Sequence, residues 1–199
     1  MSQSISTAIS LIKADMQHRC EYERKVLNAL QVIKFLFNPA VFSAVLYRLQ
    51  MFFYLNELGF IGVFFKLINS IFLTVDIDSK TQIGGGFFIM HASHICIGAN
   101  VVIGKNCIMA HQNSVCPSPF FLKGITHSST GPTLGDDVIL GGGATVSGEI
   151  VLGSNVQVSM NAAVDNSFPD NAVLFGVPAK NIAKKVSPIR TDNLETLIA

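Results

Sequence analysis

Charged residues are scarce in this chain of 199 residues: they make up 14% of the sequence, and the formal net charge is only +1. A protein that binds nucleic acid by neutralising phosphates needs a basic excess, so this composition argues against such a partner. The mean hydropathy is high, at +0.46. Apolarity of this degree in a water-soluble chain indicates surface buried between subunits, and we expect an oligomer.

Paired cysteine motifs and targeting segments are also missing. The four cysteines are Cys20, Cys96, Cys107 and Cys116, and they show no CxxC spacing. The N-terminal stretch MSQSISTAISLIKADMQHRC contains no basic region followed by a long apolar run. We therefore predict free thiols, no signal peptide and a cytoplasmic location.

A long uninterrupted apolar run is absent as well. The most apolar region, residues 38–75, is interrupted by Arg48, Glu57 and Lys66. It therefore offers no stretch of roughly 20 apolar residues that would span a bilayer. We interpret it as a pair of helices buried against each other and against neighbouring subunits. The alternative is a peripheral contact with the inner face of a membrane or with a membrane-bound partner.

Residues 1–74 are predicted to be helical. Asn38 and Pro39 form an N-cap followed by proline at the first helical position, which starts a helix near Ala40. Its apolar pattern continues to about Leu58, and Gly59 is expected to end it. A second helix is predicted over residues 61–72.

After residue 75, aliphatic side chains recur every six positions. These anchors form three sets: Ile77, Ile83 and Ile89; Ile97, Ile103, Met109 and Val115; and Leu134, Leu140, Val146, Leu152, Val158 and Val164. A six-residue period fits neither an isolated helix nor a flat strand, but it is typical of a solenoid in which each hexapeptide forms a short strand and a corner. Gly, Asn and Asp cluster after the anchors because corners need residues that tolerate a positive φ.

The period is interrupted twice. Two surplus residues stand between Ile89 and Ile97, within the segment MHASHICIG, and residues 116–133 form a longer stretch rich in Pro, Ser and Gly. Such interruptions of a regular fold often become functional loops. We predict a helical region at 1–74, a β-helix domain at 75–185 with the inserted loop 116–133, and a tail at 186–199.

These features together resemble the hexapeptide-repeat acyltransferases. The likeness rests on the anchors, the MHASHICIG interruption, FGVPAK at 175–180, YRLQMFFYLN at 47–56 and VDIDSKTQIGGGFFI at 75–89, so it covers about residues 40–185. The chain is most similar to serine acetyltransferase-like proteins, including bacterial polysaccharide O-acetyltransferases. The resemblance implies a mainly β fold, namely a left-handed parallel β-helix preceded by an α-helical region. It also implies a homotrimer or a dimer of trimers.

The resemblance further implies the reaction. Such enzymes transfer acetyl from acetyl-CoA directly to a hydroxyl, and no metal is expected. Their catalytic histidine lies in the short interruption, and His91 occupies that position here. Imidazole suits the role of general base, because an alcohol becomes nucleophilic only when a base removes its proton near neutral pH.

The acceptor site departs from the serine acetyltransferase pattern. Those enzymes carry Asp immediately before the catalytic histidine and Arg-His-Pro at the entry to the later coils. This chain has Met90 and Thr-Gly-Pro at residues 130–132. The candidate acceptor-site residues are Met90, His94 and His127, with His127 as a replacement for the second histidine. For both His94 and His127 a purely structural or surface role is the alternative.

The resemblance assigns CoA to the rung LGGGAT at 140–145. Gly142 and Gly143 would let the pantetheine arm approach backbone amides, and the alternative is that they are only corner residues. Weaker candidates lie one coil later and around the final turn: Met160, Asn161, Pro178, Lys180 and Lys185. A lysine there would meet CoA phosphates as a point charge.

The missing charged groups favour a neutral acceptor, so we predict an O-acetyltransferase that acts on a hydroxyl of a sugar or polysaccharide. Serine O-acetyltransferase is the first alternative, and a non-catalytic trimeric scaffold is the second. A γ-type carbonic anhydrase uses the same solenoid, but its three zinc-binding histidines need spacings that this chain does not have.

Overall fold

The computed structural model describes residues 3–117 and 130–183. The helices are α1 (Ile5–Tyr22), α2 (Ala29–Leu36), α3 (Pro39–Leu55) and α4 (Gly59–Leu73). The strands are β1 (Val75–Ile77), β2 (Gln82–Ile83), β3 (Phe88–Ile89), β4 (Ile95–Ile97), β5 (Val102–Ile103), β6 (Ile108–Met109), β7 (Ser114–Cys116), β8 (Thr133–Leu134), β9 (Ile139–Leu140), β10 (Thr145–Ser147), β11 (Val151–Leu152), β12 (Gln157–Val158), β13 (Ala163–Val164), β14 (Val173–Phe175) and β15 (Lys180–Asn181).

The strands form three sheets that run side by side along one axis. Their orders are β1-β4-β7-β10-β13, β2-β5-β8-β11 and β3-β6-β9-β12-β14-β15. Strands of successive coils pair in parallel, as β1 does with β4, and the final pair β14–β15 is antiparallel. Each coil contributes one strand to each sheet, and about four coils stack into a parallel β-helix. The predicted fold class, a β-solenoid preceded by helices, is confirmed.

The repeat anchors fill the interior of the coil. Every anchor predicted from the sequence is buried, with at most 7% of its surface exposed. Between them lies a second buried row that includes Val101, Cys107, Val138 and Val156. Each aliphatic side chain buried in this way contributes about 1.5–3 kcal/mol, so the periodic pattern itself is the main source of stability.

The corners use the residue types that the sequence predicts. Positive φ angles occur at Asn100, Asn106, Asp137, Asn155, Asn161 and Asn171. Side chains at equivalent corners also bond to each other. Asn106 Nδ2 donates to Asp137 Oδ1 at 3.0 Å, and Asn155 Nδ2 donates to Asn171 Oδ1 at 2.7 Å. These residues therefore both turn the chain and link successive coils.

The start of α3 agrees with the sequence, but its end does not. Asn38 Oδ1 accepts from the backbone N–H groups of residues 40 and 41, at 3.0 and 3.3 Å, and Pro39 opens the helix. The expectation that Gly59 ends this helix is wrong. The helix ends at Leu55, because Glu57 takes the left-handed position at φ 63° in a Schellman-type turn, and Gly59 instead opens α4.

Side chains of the helical region cover the open end of the first coil. Carbonyls that face away from the second coil accept three such hydrogen bonds: Tyr47 Oη to Thr81 O at 3.0 Å, Gln50 Nε2 to Ile77 O at 2.9 Å, and Arg19 Nη1 to Ile89 O at 3.1 Å. An uncovered end would leave unpaired backbone groups, so the helices act as the cap of the solenoid. The segment YRLQ at 47–50 thus has a structural role.

A buried ion pair between Arg48 and Asp15 completes this cap. Arg48 Nε and Nη2 lie 2.8 and 2.9 Å from Asp15 Oδ2 and Oδ1. The guanidinium also donates to the carbonyls of residues 83 and 84, at 2.7 and 2.6 Å. Asp15 Oδ1 accepts from the N–H groups of residues 86 and 87, at 2.9 and 2.8 Å. Both side chains are therefore fully engaged with the corner between β2 and β3.

Helix α4 presents an apolar stripe to solvent. Its exposed members are Phe60, Val63, Phe64, Leu67 and Ile71, each at least half exposed. Within the described ranges, no single helix is long and apolar enough to cross a bilayer. Helices α2 and α3 meet that test only when taken together, and they are bent by 88° at the break between them.

We predict that Arg48→Met lowers the free energy of unfolding by about 3–5 kcal/mol, because it leaves the Asp15 carboxylate buried and without its cation. Denaturant unfolding at a fixed protein concentration measures the change. The exposed pair Lys66–Asp76, with Nζ and Oδ1 3.0 Å apart, gives the control: Lys66→Ala is expected to cost at most about 1 kcal/mol. Equal small losses for both variants would show that the buried pair does not hold the cap.

Candidate active site

Most of the sequence-predicted site residues lie on one corner of the coil. This corner, which we call the site corner, joins the sheet of β3, β6, β9 and β12 to the sheet of β4, β7, β10 and β13. It comprises residues 90–94, 110–113, 141–144 and 159–162, and residues 176–179, between β14 and β15, stack on its last layer. Hydrogen bonds link its layers, since His91 N donates to Ala110 O at 3.3 Å, Gly143 N to His111 O at 2.8 Å, and Asn161 N to Gly142 O at 2.9 Å.

His91 occupies the first layer of the site corner, within the lengthened interruption. Its side chain is exposed, and Met90 and Ala92 beside it are half-buried. A cleft of about 270 Å³ opens there, lined by Asn38, Pro39, Ala40, Met90, His91 and Ala92. Among these lining residues only His91 is ionisable. The start of α3 therefore forms one wall of the cleft, and the interruption forms the other.

A second imidazole, which the sequence predictions did not include, faces His91 from the next layer. The rings of His91 and His111 have their centroids 6.0 Å apart and meet edge to face, with 68° between their planes. A signal for this was present in the sequence. His91 stands two residues after the anchor Ile89, and His111 stands two residues after the anchor Met109.

The glycine rung lies directly beyond His111. A Cβ built on Gly142 would lie 2.7 Å from His111 Cε1 and 3.0 Å from Nε2, so the imidazole occupies the space that glycine leaves. Gly142 is buried as a result, whereas Gly143 is half-buried. Gly143 has φ 74°, and a Cβ there would collide with Asn161 Oδ1. Both glycines are therefore required by their surroundings.

The weaker candidates continue the same row. Met160 is 73% exposed, and Asn161 turns the corner with φ 56°. Pro178 follows a cis peptide bond in the last turn and is exposed, and so is Lys180 in β15. The structure thus brings the predicted base and most of the predicted CoA contacts onto one edge of the β-helix. Lys185 lies outside the described residues.

The remaining acceptor-site candidates are His94 and His127, and His94 is not part of the row formed by His91, His111, Gly142 and Met160. His94, with φ 51°, donates its backbone N–H to Thr74 Oγ1 at 3.0 Å, and its Nδ1 lies 2.9 Å from Ser93 Oγ. It therefore contacts the junction of α4 and β1. His127 lies outside the described residues, and Thr-Gly-Pro at 130–132 packs against Asn100 on a different corner.

Across residues 3–117 and 130–183, no group of three or more His, Cys, Asp or Glu side chains is arranged to hold a metal ion. The four cysteines carry free thiols, and the Sγ atoms of Cys96 and Cys116 lie 4.0 Å apart on neighbouring coils. The site corner therefore offers the facing imidazoles of His91 and His111, the separate imidazole of His94, backbone amides and small side chains.

Comparison with known proteins assigns the family. No protein-family profile matches the chain. The serine acetyltransferase of Helicobacter pylori (strain J99) is 30% identical over 146 residues, which are 73% of this chain and 82% of the relative. The chain belongs to the serine acetyltransferase family. The enzyme of Synechococcus elongatus is 26% identical over 191 residues, 92% of this chain and 72% of the relative. The predicted resemblance is confirmed, and with it the acyltransferase class.

Solved structures of the family share the fold. A serine acetyltransferase in complex with CoA has a TM-score of 0.77 and 22% identity, and the match covers 90% of this chain and 71% of that one. The serine acetyltransferase of Neisseria gonorrhoeae in complex with serine has a TM-score of 0.71 and 22% identity, covering 88% and 69% of the two chains. The likeness spans both the helical region and the β-helix.

Proposed function

We propose that this chain transfers the acetyl group of acetyl-CoA to the hydroxyl of serine, with His91 as the general base. The position of His91 supports the proposal: among the described residues, it is the one ionisable side chain that lines the cleft at the site corner. The family adds the substrates, because serine acetyltransferases of this fold have been crystallised with CoA and with serine.

The chemistry follows from the imidazole. A hydroxyl is a weak nucleophile until a base takes its proton, and imidazole is a side chain suited to this task near neutral pH. The acceptor oxygen attacks the thioester carbonyl carbon, and negative charge develops on the carbonyl oxygen. When the C–S bond breaks, the proton held by His91 passes to the CoA sulfur. The products are the acetyl ester and free CoA.

The donor side of the site fits the glycine rung and the layer beyond it. Gly143 and Asn161 present backbone at the site corner, next to the exposed Met160. We assign the pantetheine arm to this edge. Because the His111 ring covers Gly142, the arm would contact the ring at that layer and not the glycine itself. Lys180 is the described cation at the far end of the row, where it would meet CoA phosphates as a point charge.

A sugar hydroxyl is the second candidate acceptor, and Met90 is the observation that favours it. Serine carries an ammonium group, which a buried site normally pairs with a carboxylate. Among the described residues that line the cleft, none is acidic. A neutral polyol needs no such partner. Serine takes first place because the relatives are serine acetyltransferases.

We also propose that homotrimers form and that two of them pair in the working form, with the apolar stripe of α4 buried against another copy. The five large apolar side chains of the stripe, each at least half exposed, form a patch that monomeric proteins seldom expose. The stripe lies on the helical cap, so its burial against another copy would join trimers. This arrangement gives a dimer of trimers.

His91→Ala is expected to reduce turnover about 10²–10⁴-fold, because the acceptor then loses its base. Initial rates of CoA release with serine measure the change. His18→Asn is the matched control: His18 is a structural histidine whose Nδ1 lies 2.6 Å from Gly86 O, outside the site corner. A His91→Ala protein with wild-type activity and wild-type thermal stability would remove the base assignment.

An acceptor panel separates serine from sugars. We expect acetyl transfer to serine in preference to neutral sugars, detected by mass spectrometry of the products. In Met90→Asp, a carboxylate beside the base would pair with the ammonium and lower the KM for serine by about tenfold or more, since a hydrogen bond to a charged group contributes about 1.5–3 kcal/mol. Met90→Leu controls for the change in shape. Transfer to a sugar and not to serine would contradict serine as the acceptor and support the sugar hydroxyl.

Light scattering on purified protein tests the assembly. We expect a mass of six chains, and Leu67→Lys is expected to reduce it to three, because a charge in the middle of the α4 stripe opposes burial. Lys66→Ala, one position away and off the stripe, should leave the mass unchanged. A wild-type protein that stays monomeric at micromolar concentration would contradict the proposal.

A further inference from the structure

We propose that His111 is a second catalytic residue of this site, and that its ring N–H donates a hydrogen bond to the oxyanion formed from the thioester. The inference rests on the proposed acetyl transfer, but it does not depend on which hydroxyl is the acceptor. Its basis is the position of His111 between the proposed base and the proposed CoA edge.

The layers of the site corner define that position. His91, His111 and Gly142 each stand two residues after an anchor, at Ile89, Met109 and Leu140. Their layers are consecutive, since His91 N donates to Ala110 O and Gly143 N donates to His111 O. A CoA arm that lies along the later layers and reacts beside His91 has to cross the layer of His111. The thioester therefore comes next to this ring.

The ring is held on two sides. The edge-to-face contact with His91, at 6.0 Å between centroids, sets one side. On the other side, a Cβ at Gly142 would be 2.7, 3.0 and 3.2 Å from His111 Cε1, Nε2 and Nδ1, so the ring face covers the glycine. A side chain at residue 142 would displace the imidazole. This packing preorganises the ring, which is what an oxyanion donor requires.

The ring nitrogens are available for a ligand. His111 is exposed, and neither of its ring nitrogens has a hydrogen-bond partner within the described part of the chain. A neutral imidazole always carries one N–H, so it donates without first being protonated. A histidine that served only to stabilise the corner would be expected to use its nitrogens on neighbouring coils, as the asparagine corners do.

The reaction balances with His111 as a hydrogen-bond donor only. His91 takes the proton of the acceptor hydroxyl, the acceptor oxygen bonds to the carbonyl carbon, and the carbonyl oxygen gains the charge that the His111 N–H stabilises. The carbonyl then re-forms, the C–S bond breaks, and the proton on His91 passes to the CoA sulfur. His111 keeps its own proton throughout.

The test compares His111→Ala with His111→Asn. Loss of one oxyanion donor reduces kcat about 10²–10³-fold, so we expect that loss for His111→Ala, with the KM for acetyl-CoA little changed. Asparagine keeps an N–H donor but does not titrate, and His111→Asn should recover at least about tenfold of the loss. The pH dependence of kcat/KM should keep its position in both variants, because His91 remains the base. His18→Asn, outside the site corner, is the control and should leave kcat unchanged.

Hydrolysis of acetyl-CoA by water supplies a readout that needs no acceptor. It passes through the same oxyanion, so His111→Ala should slow it as well. A fully active His111→Ala protein in an active wild-type background overturns the proposal for His111 alone. An equal loss in the alanine and asparagine variants also overturns it, because the ring would then act as a proton donor or a structural element. Hydrolysis that depends on His111, without transfer to serine, overturns only the proposed acceptor.

Discussion

The buried ion pair between Arg48 and Asp15 is the interaction on which the rest of the structure depends. The first coil of a solenoid has no earlier coil to pair with, so its outer carbonyl and N–H groups need other partners. Arg48 and Asp15 supply partners for four of them, at residues 83, 84, 86 and 87. The charges remain buried only because each has the other within 3 Å. The cap thus holds the corner from which β3 runs into Met90 and His91.

The same six-residue period that fills the core also builds the site. An anchor points inward at each coil, and the residue two positions later stands at the corner, so equivalent positions stack along the axis. At the site corner this gives His91, His111, Gly142 and Met160 in successive layers. Reactive side chains and the space for a cofactor arm are therefore arranged by the repeat itself. A substitution at one layer acts on the next, as the contact between Gly142 and His111 shows.

The features that could be predicted from the sequence are those set by the six-residue period or by a helix-capping residue. The anchors, the asparagine corners and the start of α3 could all be identified from single positions, because each depends on a side chain's own preference. His111 has the same two-residue offset from an anchor as His91, but its contacts with His91 and Gly142 come from the neighbouring layers, and no single position indicates them. The pairing of residues 15 and 48 has no periodic signal at all. The prediction that α3 ends at Gly59 was wrong, because Glu57 adopts the left-handed conformation and ends the helix earlier.

Whether a charged acceptor such as serine can bind depends on which charged side chains lie at the cleft. Serine brings an ammonium group, and leaving it unpaired in a partly buried site costs several kcal/mol. The cleft lining among described residues contains no carboxylate, and residues 118–129 contain no acidic residue in their sequence. A carboxylate for serine would therefore come from outside this cleft lining, for example from a neighbouring copy. Acceptor choice would then depend on groups outside this cleft lining, whereas the proposed acetyl transfer uses the two stacked imidazoles and the edge beyond them.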